Sequence, residues 1–230
     1  KNIGIASGAT AVIELSALIL ADAGDVAVFP APSYPVYSRD INNKAGLERY
    51  DLITHHQIDD SKHGAILSIE HLEIAKKDIE LQGKNFRLLI LTNPDNPTGS
   101  IYSLEQLEII ADWCIERNIH FIVNEIYGLV TVDTENPSIA ADYSNHDKFS
   151  SILPIIHKKN SPYVHQWYAL SKDLGISGMR VGMVYSLNQT FLNAFNNLNL
   201  PHMVSNHTQW LMENVLADHD FMRDFLDMQQ

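Results

Sequence analysis

Four short stretches of the chain carry side chains that can do chemistry. Ser7-Gly8-Ala9-Thr10 leads directly into a helical pattern, and the free backbone N–H groups of such a start suit an anion. Residues Asn93 to Gly99 (NPDNPTG) hold two Asn-Pro pairs and a closing glycine, a rigid turn that presents side-chain amides. Asn124-Glu125-Ile126-Tyr127 adds an amide, a carboxyl and a phenol. Ser171-Lys172 offers a primary amine, with Gly178 and Arg180 shortly after it. Each stretch has an ordinary structural reading on its own. An Asn-Pro turn is usually only a turn, and a single lysine at a strand end is usually a solvated charge. Their weight comes from their joint placement and their order.

The elements that must position them follow from hydrophobic spacing. Val12, Leu15, Leu18 and Ile19 predict a helix over 10–23, stopped by Gly24. Val26 to Phe29 reads as a short buried strand, and Arg87 to Thr92 as a strand covered on both faces. Ser103 and Gln106 form a capping box for a helix that runs to Arg117. Further strands are predicted at His120 to Val123, Val164 to Leu170 and Arg180 to Tyr185, and helices from about Asn188 and Ser205. The polar stretch from about Thr54 to Gly83 reads as a surface excursion. Strands separated by helices call for crossover units, hence a three-layer α/β/α architecture with a mostly parallel sheet, one domain over 1–230. Ligands of such sheets bind beyond the carboxyl ends of the strands, where the four stretches fall.

Composition narrows the function classes. Sixteen Lys plus Arg against 28 Asp plus Glu give a net charge of -12, a poor match for a phosphate backbone, so nucleic acid is not an expected partner. With 45% hydrophobic and 19% charged residues the chain is of ordinary globular composition. The single cysteine, Cys114, excludes an internal disulfide and lies in a helical pattern as a buried thiol. The apolar run from Ala11 to Ala23 contains Glu14 and Asp22 and has a helix face rather than a membrane span. The chain does not open on a secretory signal, which favours the cytoplasm. Of its eleven histidines, the clustered ones (His55, His56, His63 and the pair His202, His207) lack ligand-like spacing, and no metal site is expected.

The order of the motifs resembles the fold-type I enzymes that use pyridoxal 5'-phosphate, in particular the class I/II aminotransferases and, among them, members similar to 1-aminocyclopropane-1-carboxylate synthases. The resemblance rests on SGATA at 7–11, PAPSYP at 30–35, NPDNPTG at 93–99, EIY at 125–127 and SKDLGISGMRVG at 171–182. It covers nearly the whole chain but only the large, cofactor-binding domain of the family, so that the chain reads as a fragment without the N-terminal arm and the C-terminal small domain. It implies that Lys172 forms a Schiff base with the cofactor aldehyde and afterwards moves the substrate Cα proton. Ala9, Thr10 and Arg180 would hold the phosphate. Tyr34 would stack on the ring, and Asn96 and Tyr127 would hydrogen-bond the ring hydroxylate oxygen.

Two positions depart from the family pattern. An aspartate usually faces the pyridine nitrogen where this chain has Asn124, and a serine usually stands at Ala169. A neutral partner gives up the extra strength of a charge-assisted bond, on the order of tenfold in carbanion stabilisation. Ser171 could replace the missing serine only in part, because strand alternation should turn its side chain away. The resemblance implies an aminotransferase acting on an amino acid and a 2-oxo acid, as a homodimer. Two alternatives stand beside it: a lyase similar to 1-aminocyclopropane-1-carboxylate synthase, and a cofactor-binding module of little activity.

Overall fold

The computed structural model describes residues 2–54, 67–134, 136–141 and 148–229. In chain order its elements are β1 (Ile3–Ala6), α1 (Ala9–Leu20), β2 (Val26–Ala31), α2 (Tyr37–Asn42), β3 (Glu48–Ile53), α3 (Ile69–Leu81), β4 (Phe86–Thr92) and α4 (Leu104–Glu116). They continue with β5 (His120–Asn124), α5 (Leu153–Lys159), β6 (Val164–Ala169), the helical turn α6 (Leu170–Asp173), β7 (Gly182–Ser186), α7 (Gln189–Leu198), α8 (Asn206–Ala217) and α9 (His219–Asp227). The strands form one seven-stranded sheet in the order β1-β7-β6-β5-β4-β2-β3. The run from β6 to β3 is parallel, and β7 lies antiparallel to both β6 and β1.

Successive side chains of a strand point to opposite faces, and β4 shows what that does. Leu89 and Leu91 pack with Leu72, Leu107, Ile110 and Ile155 of α3, α4 and α5 on one face. Leu88 and Ile90 pack with Val12, Leu15, Ile41 and Phe195 of α1, α2 and α7 on the other. A continuous apolar strand is thus buried on both sides, and the three-layer α/β/α architecture follows. Each such buried Leu or Ile contributes roughly 1.5–3 kcal/mol relative to exposure. Cys114 sits in the first of these layers, and burial pushes its thiol well up, so it is a packing residue.

The structure corrects two parts of the sequence reading. The polar excursion contains helix α3, which buries Leu72, Ala75 and Ile79 along one stripe. Its capping box pairs Ser68 with His71 in place of the usual Glu or Gln. The run from His55 to His63 lies outside the described residues. The last predicted strand begins at Gly182 rather than Arg180, because Arg180 takes a left-handed conformation (φ 54°) after the 3-10 turn Ser177–Met179. Among the described residues no helix is long and apolar enough to cross a membrane, and no cluster of His, Cys, Asp or Glu could hold a metal ion.

At the end of the sheet away from the four stretches, two histidines are buried together. His120 Nδ1 lies 3.0 Å from His165 Nε2, and His165 Nδ1 lies 2.8 Å from Ser186 Oγ. Burial, with Arg87 nearby, pushes His120 down to about 4, and burial holds His165 well below the usual imidazole range. Both stay neutral in the fold but bind protons in the unfolded chain, so their stabilisation is present above about pH 6.5 and is lost as the pH falls. His120 alone should cost about 3 kcal/mol of stability as the pH falls from about 6.5 to about 4, since each pH unit crossed in that window costs about 1.4 kcal/mol. His120→Gln should flatten that acid slope when unfolding of the full-length protein is followed against pH.

Candidate active site

Beyond the carboxyl ends of the parallel strands lies a cavity of about 220 Å³. Ala9, Thr10, Tyr34, Asn96, Asn124, Tyr127, Ser171, Lys172 and Arg180 all line it. The sequence reading missed Tyr37, Asp40 and Thr92, which line it as well.

One end of the cavity is cationic. Helix α1 starts at Gly8, which carries no capping side chain, and no acidic residue lies in its first turn. Its first N–H groups therefore face the cavity with their share of the helix dipole. Gly8 has φ 87°, and a Cβ there would meet Arg180 Nη2 at 2.3 Å. The guanidinium is steered by Nη1 donating to the Ser177 carbonyl at 3.0 Å and Nη2 reaching the Ser7 carbonyl at 3.5 Å. Gly182 is just as constrained, since a Cβ there would lie 2.5 Å from the Gly8 carbonyl carbon. Glycines at both positions let the guanidinium and the helix start converge.

Lys172 enters from α6. Strand β6 ends at Ala169, one residue before its predicted end, and Leu170–Asp173 turns helically. Strand alternation therefore does not govern Ser171, which lines the cavity, contrary to the orientation expected from sequence. The turn is tied down by buried Asp173, whose Oδ2 accepts from Tyr168 OH at 2.8 Å and from Leu129 N at 3.0 Å. Glu125 is likewise structural. Its carboxylate accepts from Ile152 N, Ser151 Oγ and Gln166 Nε2 at 2.6, 2.8 and 2.6 Å, and burial raises its pKa.

The other end is neutral and finely hydrogen-bonded. Parallel pairing of β4 and β5 sets Thr92 opposite Asn124. Tyr37 OH lies 2.8 Å from Thr92 Oγ1 and accepts from Asn124 Nδ2 at 2.8 Å. Burial pushes the Tyr37 phenol up to about 12, so it remains protonated. Asn96 Nδ2 donates to Tyr127 OH at 3.0 Å, linking the Asn-Pro turn to the loop after β5. Tyr34 meets the Tyr37 ring edge-on, with centroids 5.5 Å apart. Its loop is pinned by Arg49, which donates to the Tyr34 and Pro35 carbonyls and to Ser33 Oγ and Ser38 Oγ.

These residues, in this order, match a known family. The aminotransferases of class I and II match over residues 1–230. The chain belongs to that family. Among its curated relatives, 1-aminocyclopropane-1-carboxylate synthase 4 of Solanum lycopersicum is 35% identical over 229 residues, 98% of this chain and 44% of that protein. 1-Aminocyclopropane-1-carboxylate synthase 7 of Arabidopsis thaliana is 34% identical over 226 residues, 98% of this chain and 47% of that protein. An aspartate aminotransferase from Thermus thermophilus, solved with maleate, superposes with a TM-score of 0.78 at 17% identity, covering 99% of this chain and 52% of that one. At that identity the likeness shows the fold alone. The chain spans less than half the length of these curated relatives.

The aminotransferases of this family and the 1-aminocyclopropane-1-carboxylate synthases depend on pyridoxal 5'-phosphate. The donor set fits that group. An uncapped helix start beneath a guanidinium suits a phosphate, a primary amine suits an aldehyde, and the paired Asn96 and Tyr127 suit a ring hydroxylate. Of the two positions at which the resemblance leads one to expect a departure, Asn124 lines the cavity and Ala169 ends β6.

Two outcomes follow. Gly8→Ala should cost roughly 1–3 kcal/mol through its backbone conformation and displace Arg180. Pyridoxal phosphate affinity of the full-length protein, read by equilibrium dialysis, should then fall on the order of tenfold or more, about the strength of one charge-assisted bond. Asp40 is buried beside Glu14, and burial with that like charge raises it to about 6. Its ionisation opposes folding, so Asp40→Asn should raise stability by about 1–2 kcal/mol above pH 6 and leave it unchanged below pH 4. Thermal unfolding at the two pH values checks this.

Proposed function

We propose that this chain is the cofactor-binding part of a pyridoxal phosphate-dependent aminotransferase that acts on amino acids. The observation that carries the reading is the placement of Lys172 in one cavity with Arg180, the α1 start and the Asn96–Tyr127 pair. Ala9 and Thr10 offer backbone N–H groups, and Thr10 a hydroxyl, to the phosphate. Arg180 neutralises it, with Ser171 as a further hydroxyl donor. Tyr34 covers a ring face. Asn96 and Tyr127 donate to the ring oxygen, and Asn124 faces the ring nitrogen. When bound, pyridoxal phosphate supplies an electron sink for bonds at an amino acid Cα. Lys172 Nζ would hold the cofactor through its aldehyde and, once the substrate amine displaces it, would be free to move the proton at that Cα. Family members act as dimers, and we take this protein to be a homodimer.

A lyase similar to the 1-aminocyclopropane-1-carboxylate synthases is the second reading. It is favoured by relatives of that name at 34–35% identity, against 17% for the aspartate aminotransferase structure. Incubation of the full-length protein with amino acids, including one that carries a leaving group at Cγ, and with 2-oxoglutarate separates the two. Glutamate formation supports the aminotransferase, and 1-aminocyclopropane-1-carboxylate as product supports the lyase. Turnover of no amino acid would sink the first reading and leave a cofactor-binding module. Lys172→Ala should abolish the visible chromophore formed with pyridoxal phosphate and lower turnover by roughly 10²–10⁴-fold or more.

A further inference from the structure

The direction of the hydrogen bonds around Asn124 has a chemical consequence for whatever ring faces it. Ile126 N–H is buried, can only donate, and has Asn124 Oδ1 as its partner at 3.3 Å among the described residues. That bond fixes which end of the amide is oxygen, since a flipped amide would set two donors against each other and leave a buried N–H unsatisfied. Nδ2 must then face Tyr37 OH, to which it donates at 2.8 Å, and Tyr37 is free to donate onward to Thr92 Oγ1 at 2.8 Å. The amide oxygen accepts one of the two hydrogen bonds it can take, and one of the two amide N–H groups is used. What Asn124 has left for the cavity it lines is a second N–H and one lone pair of the oxygen, and neither carries a charge.

We infer that Asn124, held by Ile126 N and Tyr37, donates to an unprotonated pyridine nitrogen, so that this site binds its cofactor with a neutral ring. The inference rests on the proposed pyridoxal phosphate function and specifies how this chain's residues would set the protonation state of that cofactor. A protonated nitrogen would bring its charge to an uncharged amide and forgo the opposing charge of a carboxylate, whereas an unprotonated nitrogen accepts the free N–H. The carboxyl group that lines the same cavity among the described residues is Asp40, on α2. A neutral ring withdraws electrons less strongly, so more of the work at the substrate Cα falls to Lys172. Asn124→Asp reverses the arrangement. A carboxylate would accept from Ile126 N and, if Tyr37 turned its hydroxyl, from Tyr37, with an oxygen left to hold a ring proton.

The test is ¹⁵N NMR of the full-length protein loaded with pyridoxal phosphate labelled at the ring nitrogen, near neutral pH. The wild-type resonance is expected at the neutral-pyridine position, and the Asn124→Asp variant should move it to the pyridinium position. Asn124→Asp should also speed Cα proton loss on the order of tenfold, the gain of a charge-assisted over a neutral bond. A wild-type resonance at the pyridinium position, unchanged by Asn124→Asp, overturns the inference. A pyridinium resonance that Asp40→Asn removes also overturns it, and makes Asp40 the proton's partner. In both of these cases the visible, Lys172-dependent chromophore persists and the proposed function stands. Absence of that chromophore overturns the proposed function and this inference together.

Discussion

The site depends on one row of backbone across the sheet. Gly182 of β7 pairs with Ala6 of β1 on one side and with Ala169 of β6 on the other. Each neighbour leads directly into a piece of the cavity. The chain leaves Ala6 and starts α1 three residues later, and it leaves Ala169 and turns at once into α6 with Lys172. Arg180 precedes Gly182 by two residues. The pairing can be this close only because Gly182 has no Cβ to strike the Gly8 backbone, and Gly8 none to strike the guanidinium. Antiparallel β7, set between β1 and the parallel run that starts at β6, thus brings a helix start from the beginning of the chain to an amine and a guanidinium more than 160 residues later.

The opposite end of the cavity is organised by polar groups that the fold buries and must satisfy. Buried carboxyls and amides are costly unless they are hydrogen-bonded, and here each bond joins separate elements. Glu125 ties the end of β5 to the start of α5 and to β6. Asp173 ties α6 to the segment after Tyr127. Tyr37 ties α2 to β4 and β5 through Thr92 and Asn124. The polar network that supports the cavity is therefore also what joins these strand ends and loops, and a side chain in it cannot change without moving another element.

Much of this was legible in the sequence because it is local. The turn-forming run at 93–99, the glycine before α1 and the Ser103–Gln106 capping box act within a few residues of themselves, and the alternation of apolar runs with helical spacing gives the layer order. What escaped is what tertiary pairing decides. Tyr37, Thr92 and Asn124 lie 55 and 87 residues apart and meet only through the β4–β5 register and the packing of α2. Arg49 sits on the polar edge strand β3 and gives no local sign that it holds the Tyr34 loop. Helix α3 was hidden because His71 stands at the capping position and its apolar stripe is narrow. Strand β1 was hidden because it is an edge strand whose Ile3 and Ile5 are exposed. Ser171 was misplaced for a smaller reason. One residue of error in the end of β6 reverses the side on which an alternating side chain is expected.

The amide at position 124 also makes sense as a matter of charge. Among the described residues its surroundings offer an acid at that place two protein donors, Ile126 N and Tyr37 OH, and the pKa of Asp40 on the same cavity is already raised by burial and by Glu14. A second buried carboxylate there would carry a desolvation cost of several kcal/mol unless a cation sat beside it. The cations that line the cavity among the described residues are Lys172 and Arg180, and Arg180 is held at the α1 start. In the absence of a positively charged ring, the neutral amide is the cheaper side chain for this fold. A carboxylate becomes favourable only when the ring itself supplies the opposing charge. Which of the two a chain carries at this position therefore couples the stability of the empty site to the protonation of the ring that fills it, and this chain carries the neutral side chain of the two.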